Sequence, residues 1–166
     1  MHLTLPGGAT VPVRSCAVAS VAQTNPGLDE IDDSPSITAS ILIACHRHVD
    51  LLARCLEALR VNVNESIAAE TIVLFNGTPE SEQRRVRRAL EGARVITSPV
   101  NLGFGGGNNR AARQARGAYL VLLNDDAEVQ PGWLEPLVET AEKHPDAGAV
   151  GSRILHPDGR LQEAGS

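Results

Sequence analysis

Residues 37–60 read ITASILIACHRHVDLLARCLEALR, and this stretch decides the fold class. Its first eight residues, ITASILIA, form a β-rich run suited to a buried strand. From Val49 the pattern changes. Leu51, Leu52, Cys55, Leu56 and Leu59 recur at helical spacing, so VDLLARCLEALR predicts an amphipathic helix. A strand, a polar loop and a helix in that order open a βαβ unit.

The alternation repeats downstream. TIVLF (71–75) predicts a second short strand. Pro79 opens a helix through ESEQRRVRRALEG (80–92), with acids in its first turn and Gly92 at its end. RVIT (94–97) is a third strand, GGGNNRAARQARG (105–117) a helix closing at Gly117, and AYLVLL (118–123) a fourth strand. Pro131 sits at the first turn of a helix through GWLEPLVETAEKH (132–144). AGAVG (147–151) suits a fifth strand, and RILHPDGRLQ (153–162) a hairpin around Pro157–Asp158–Gly159. Short apolar strands alternating with helices imply right-handed crossovers and a mostly parallel α/β sheet with helices on both faces.

Residues 1–36 differ from this rhythm. They hold Pro6, Pro12, Pro26, Pro35 and the acidic run DEIDD, and read as an N-terminal arm or linker with one short strand around Thr10–Arg14. Residues 37–166 then form the one folded domain.

Composition narrows the function classes. The chain has 166 residues, 42% of them hydrophobic, enough for a core that removes roughly 70% of the unfolded surface from water. Aromatics are few: Phe75, Phe104, Tyr119 and Trp133. The core is therefore aliphatic, and base stacking on aromatic platforms is disfavoured. A formal net charge of −5 argues against nucleic acid as a partner. Cys16, Cys45 and Cys55 form no paired pattern and read as reduced thiols of a cytoplasmic protein. The N-terminus lacks a basic region followed by an apolar one, so no signal peptide is expected. No apolar run is long enough to span a membrane, while peripheral membrane association stays open.

In a parallel sheet ligands bind at the carboxyl ends of strands. Asn124, Asp125 and Asp126 stand there after the fourth strand, Cys45 and His46 after the first, and Asn76 and Gly77 after the second. Two such carboxylates suit a hard divalent cation, Mg²⁺ or Mn²⁺, completed by phosphate and water. They equally suit a solvated turn with an aspartate capping the next helix. The glycine-rich NLGFGGGNNRAA (101–112) has no following Lys-Ser or Lys-Thr, which excludes a Walker A loop. Its glycines allow close backbone approach, and Asn108 and Asn109 add amide donors near a helix start, which suits a nucleotide or diphosphate. The plainer reading is a flexible loop feeding a helix. His46, Arg47 and His48 lack a third ligand at matching spacing and read as solvated loop residues. The arginines of RRVRR (84–88) read as a solvated helix face paired with acids such as Glu80. No G-x-S-x-G is present, and Cys45 has no evident His–Asp partnership.

Four segments in order resemble the family 2 glycosyltransferases, the large inverting group with the GT-A, Rossmann-like fold. ASILIACHRHVDLLARCLEAL is similar to the family's opening strand, loop and helix. ETIVLFNGTPE is similar to its second-strand motif, which usually ends Asp-Asn-Gly-Ser. NLGFGGGNNRAARQARGAYLVLLNDDAEVQPGWLEPL resembles the rhamnosyltransferase-like subgroup in order and spacing, and GSRILHPDGRLQEAG continues it. The resemblance covers about Ser36 to the end.

It implies a nucleotide-diphosphate sugar donor, a saccharide or lipid-linked acceptor and a role in cell envelope polysaccharide biosynthesis at the inner face of the membrane. Asn124–Asp125–Asp126 would stand where the family has Asp-x-Asp. Asp126 matches the last acid, the metal ligand, and Asn124 replaces the first. Gly105, Asn108 and Asn109 match the glycine-rich motif beside the donor. Ala44 and Cys45 match the first-strand turn along the nucleotide, with Asn76 and Gly77 in register on the second. Phe75 stands where the family usually has a base-contacting aspartate. The family's catalytic base and acceptor segment lie further along than Ser166, so the chain is expected to be a truncated, donor-binding half. Glu163, the late acid, matches no motif. Two rivals remain. A nucleotidyltransferase would carry a basic glycine-rich loop after the first strand, which ILIACHRHVD lacks. A non-catalytic, degenerate nucleotide-sugar-binding domain would tolerate Phe75, Asn124 and the missing base.

Overall fold

The computed structural model describes residues 2–4, 10–12, 17–20, 37–63, 66–156 and 158–163. In chain order the elements are β1 (His2–Thr4), β2 (Thr10–Pro12), β3 (Ala17–Ser20), β4 (Ala39–Cys45), α1 (Val49–Asn62), β5 (Ala69–Asn76) and α2 (Glu80–Arg85). There follow β6 (Arg94–Ser98), α3 (Gly103–Ala112), β7 (Tyr119–Leu123), α4 (Glu135–Lys143), β8 (Val150–Gly151), β9 (Ile154–Leu155) and β10 (Leu161–Glu163).

The main sheet has the order β6-β5-β4-β7-β3-β8. Strands β6, β5, β4 and β7 run parallel, with Ile43 opposite Leu123 and Cys45 opposite Phe75. From β4 the chain steps outward to β5 and β6, then α3 carries it back across the sheet to β7. The order thus reverses between β4 and β7, and the strand ends part there to leave a crevice.

Alternation along the strands makes two cores. Ile41, Ile43, Val73, Phe75, Val121 and Leu123 point to one face, where Leu52, Cys55, Leu56 and Leu59 of α1 and Leu137 and Val138 of α4 cover them. Leu42, Ile72, Leu74, Leu120 and Leu122 point to the other, under Ala111 and Ala112 of α3. Small residues on α3 let it lie close: a Cβ on Gly107 would stand 3.3 Å from the Leu74 side chain. Burying each large aliphatic side chain stabilises the fold by about 1.5–3 kcal/mol.

Several elements differ from the expected bounds. The second helix stops at Arg85, and the chain continues to Ala93 in i→i+3 turns such as Ala89 N–H to Val86 O and Ala93 N–H to Leu90 O. Arg84 and Arg85 pair with Glu80 and Glu82, but a longer helix would stack Arg84, Arg85, Arg87 and Arg88 at i, i+3 and i, i+4, a repulsive spacing. The fourth helix starts after Leu134 with Pro136, not Pro131, in its first turn. Gly132 at φ +68° sits in the left-handed region and turns the chain before the helix can begin. The third helix ends at Ala112, and Gly117 serves a different purpose. A Cβ there would lie 2.5 Å from the backbone nitrogen of Ser40, so only glycine lets the chain into β7 pass β4.

Within the N-terminal segment β2 matches the expected strand, with Val13 and Arg14 outside the described residues. It pairs with β1. Ala17–Ser20, expected to be part of an arm or linker, joins the main sheet antiparallel to β7 and β8. The expected fifth strand is β8, and β9 and β10 form the expected hairpin, turning through Gly159 at φ +83°.

Candidate active site

A cleft of about 270 Å³ opens at the carboxyl ends of β4, β5 and β7, at the reversal of strand order. Ala44, His46, Arg47 and His48 line it from the end of β4, Asn76 from β5, Asn101, Gly103 and Phe104 from the start of α3, and Asp125 from beyond β7.

The wall between β5 and α3 is tied down by one side chain. Asn76 is 3% exposed. Its Oδ1 accepts from the Leu102 N–H at 2.8 Å, and its Nδ2 donates to Asn101 Oδ1 at 3.1 Å and to the Gly103 carbonyl at 3.0 Å. Gly77 turns the chain away at φ +75°, where a Cβ would meet the Asn101 nitrogen at 2.7 Å. Thr78 Oγ1 then donates to the Cys45 carbonyl at 2.8 Å, joining the two strand ends.

On the β7 side, the parallel register carried two residues past Ile43 and Leu123 sets Cys45 beside Asp125. The Cys45 thiol hydrogen-bonds the Asp125 carboxylate. Burial pushes the thiol well above its usual range, and the bond to Asp125 adds to that. Cys45 is therefore a neutral donor and no nucleophile. Asp125 is also raised above the ordinary carboxylate range, first by burial and then by the charge of Asp126, while the Cys45 bond and the charge of His48 oppose the rise. The Cys55 thiol lies 3.6 Å from the Asn124 carbonyl and ties the turn to α1. Cys45 is a free thiol.

The expected site residues fall into two groups. Ala44, Asn76 and Asp125 line the cleft, and Asp126 stands exposed next to Asp125. Cys45 and Gly77 lie behind the wall. Gly105, Asn109 and Asn124 are half-buried and are not among the lining residues, and Asn108 is 1% exposed, its Nδ2 bonded to the Phe104 carbonyl one turn back. Phe75 is packed in the core, so position 75 presents nothing to the cleft. Arg47, His48, Asn101, Gly103 and Phe104 were missed as lining residues. The signal for the first two was their place directly after a strand whose end faces the reversal point.

Among the described residues no three His, Cys, Asp or Glu side chains gather as a metal-binding group. The oxygen donors are Asp125 and Asp126. Such a set suits Mg²⁺ or Mn²⁺, which take one or two carboxylates and fill their shell with phosphate and water, and it does not suit zinc.

A parallel α/β sheet with a cleft at its reversal point and two acids beyond the adjoining strand is the architecture of the GT-A fold. It resembles the S. aureus TarS structure in complex with UDP, with a TM-score of 0.57 and 16% identity over 65% of this chain and 33% of that one. The profile of Glycosyl transferase family 2 matches residues 40–165, and the chain belongs to that family. It is 34% identical to the uncharacterized protein y4gI of Sinorhizobium fredii over 99% of this chain and 18% of the relative. It is 30% identical to the N-acetylglucosaminyl-diphospho-decaprenol L-rhamnosyltransferase of Mycobacterium tuberculosis over 52% of this chain and 30% of the relative. The chain thus spans less than a third of the length of either curated relative. Among the described residues no helix is long and apolar enough to cross a membrane.

Proposed function

We propose that the chain carries the donor-binding half of an inverting, metal-dependent glycosyltransferase that moves a sugar from a nucleotide diphosphate to a saccharide or lipid-linked acceptor. The observation that carries this reading is the placement of Asp125 in the cleft, with Asp126 exposed beside it, at the reversal point of a family 2 sheet. The lipid-linked acceptor class is suggested by the name of the mycobacterial relative, and a role in cell envelope polysaccharide assembly at the cytoplasmic face of the membrane belongs to the same proposal.

In this reading the nucleotide lies along Ala44 and the Asn76–Phe104 wall, and its diphosphate points to the acids after β7. Mg²⁺ or Mn²⁺, held by Asp126 with Asp125 beside it, would supply Lewis-acid stabilisation of the departing diphosphate. The acceptor hydroxyl attacks the anomeric carbon opposite the leaving oxygen, the configuration inverts, and the hydroxyl proton passes to a general base. No residue of this chain is assigned that role.

A second reading, a degenerate binding domain without catalysis, is favoured by Phe75, whose burial in the core leaves no acid to meet the base. Calorimetry with uridine, guanosine, adenosine and thymidine diphosphates, with and without Mn²⁺, tests the donor site. The expected result is Mn²⁺-dependent binding of at least one of them that is lost in Asp126→Ala. Binding indifferent to Mn²⁺ and to that substitution sinks the metal assignment, and no binding at all sinks the donor site. Efficient sugar transfer to an acceptor by the 166-residue chain alone would sink both the donor-half reading and the degenerate domain.

A further inference from the structure

One group in the cleft is not used by the reading above. Arg47 stands two residues past the end of β4 and lines the same cleft as Asp125. Arg54, Arg60, Arg84, Arg85, Arg94 and Arg116 each pair with a carboxylate. Among the described residues Arg47, like Arg87, Arg88, Arg110, Arg113 and Arg153, has no such partner, but of these it is the one that lines the cleft; its Nε donates to His46 Nε2 at 3.2 Å.

That bond has a definite polarity. His46 Nδ1 lies 2.8 Å from the Asn76 carbonyl oxygen. A carbonyl only accepts, so Nδ1 carries the proton and donates. In the neutral ring Nε2 is then the acceptor, and the Arg47 Nε–H meets it. The relay runs from a fixed point, the buried end of β5, through an imidazole held in one tautomer, to a guanidinium at the cleft. It leaves both terminal nitrogens of Arg47 clear of the relay, and a guanidinium fork matches two oxygens of a phosphate. A diphosphate entering beside Asp125 and Asp126 meets like charge, and a cation in the same cleft lining offsets that repulsion.

We infer that Arg47 is an anion clamp for the donor, its guanidinium taking phosphoryl oxygens of the nucleotide diphosphate, and that His46 is the positioning residue that orients it. This rests on the donor-site reading, which names the cleft but assigns no cationic side chain to the phosphates.

The test is calorimetry on the 166-residue chain with Mn²⁺, using the best-bound nucleoside diphosphate of the series above, its monophosphate and its nucleoside. In Arg47→Ala the diphosphate Kd rises about tenfold to a hundredfold, as expected for a lost hydrogen bond to a charged group. The nucleoside Kd stays unchanged, and Arg47→Lys, which keeps the charge but not the fork, falls between. Arg47 is exposed, so thermal melts of both variants match the parent. His46→Asn keeps a donor for the Asn76 carbonyl and removes the acceptor for Arg47. It weakens diphosphate binding, and the His46→Asn, Arg47→Ala double variant is no weaker than Arg47→Ala alone. If the parent binds a diphosphate and Arg47→Ala binds it equally, the clamp is refuted while the donor site stands. Additive losses in the double variant refute the positioning role of His46. If the parent binds no nucleotide, the donor-site reading fails first and the clamp with it.

Discussion

Replacing Asn76 with alanine separates a residue that touches a ligand from one that holds the wall of its site. The side chain makes three hydrogen bonds, to Leu102 N, Asn101 Oδ1 and the Gly103 carbonyl. Each contributes about 1 kcal/mol net. Leu102 and Gly103 are exposed, so water satisfies their backbone groups once the amide is gone. Asn76 itself is buried, and its removal leaves a small void against Gly107. The sum is a loss of about 2–3 kcal/mol, which for a chain of this size lowers the melting temperature by about 5–10 °C. Thermal and urea unfolding followed by circular dichroism read this directly. Asn76→Asp is the sharper variant, because it keeps the Oδ1 acceptor but sets a second oxygen against Asn101 Oδ1 and the Gly103 carbonyl. It is expected to be at least as destabilising as alanine. An Asn76→Ala protein that melts within about 1 °C of the parent would refute the reasoning, since a side chain holding the loop by three bonds cannot be removed so cheaply.

Two further outcomes concern the opposite end of the sheet. Gly117→Ala drives a methyl into backbone atoms of Ala39 and Ser40 that cannot move without parting β4 from β7, so the urea midpoint falls by an amount equivalent to about 1–3 kcal/mol or more; an unchanged midpoint counts against the close approach. Burial raises the Glu70 carboxyl, but hydrogen bonds from Ser40 Oγ and Arg116 N–H and the charge of Arg94 outweigh it, and the net shift is downward. A lowered folded-state value means that its stabilisation is complete above the unfolded value of about 4.3 and is lost as pH falls through the folded one. The parent therefore loses stability in that acid window, and Glu70→Gln, weaker at neutral pH, shows a flatter profile there; parallel profiles in denaturant titrations across pH 2–7 exclude the linkage.

The βαβ rhythm was legible because it is written in local periods. The aliphatic runs at 41–45, 71–75 and 119–123 carry their own burial, and α1 shows its face in the spacing of its leucines. What could not be read was non-local. AVAS at 17–20 is too short and too small to announce a strand, and its partners are residues 119–122 and 150–151. The early end of α2 depends on a density of arginines that helix propensity alone favours. At the site, strand ends gave the address of Asp125, Asn76 and His46, and the family resemblance added Ala44. The glycine-rich context pointed to Asn108, whose amide turns back to the Phe104 carbonyl of its own helix. Arg47 read as a solvated loop residue, and its place in the cleft lining comes from the fold and not from its local sequence.

The Asn76 clamp has a consequence for association. A glycine-rich loop reads as a flexible element that a ligand must order, at an entropic cost of about 1–2 kcal/mol per residue fixed. Here residues 101–103 are already fixed by an amide from the neighbouring strand. That cost is met during folding, and the nucleotide meets a preorganised wall. Binding on this side of the cleft should thus approach rigid docking, with little loop closure to slow it.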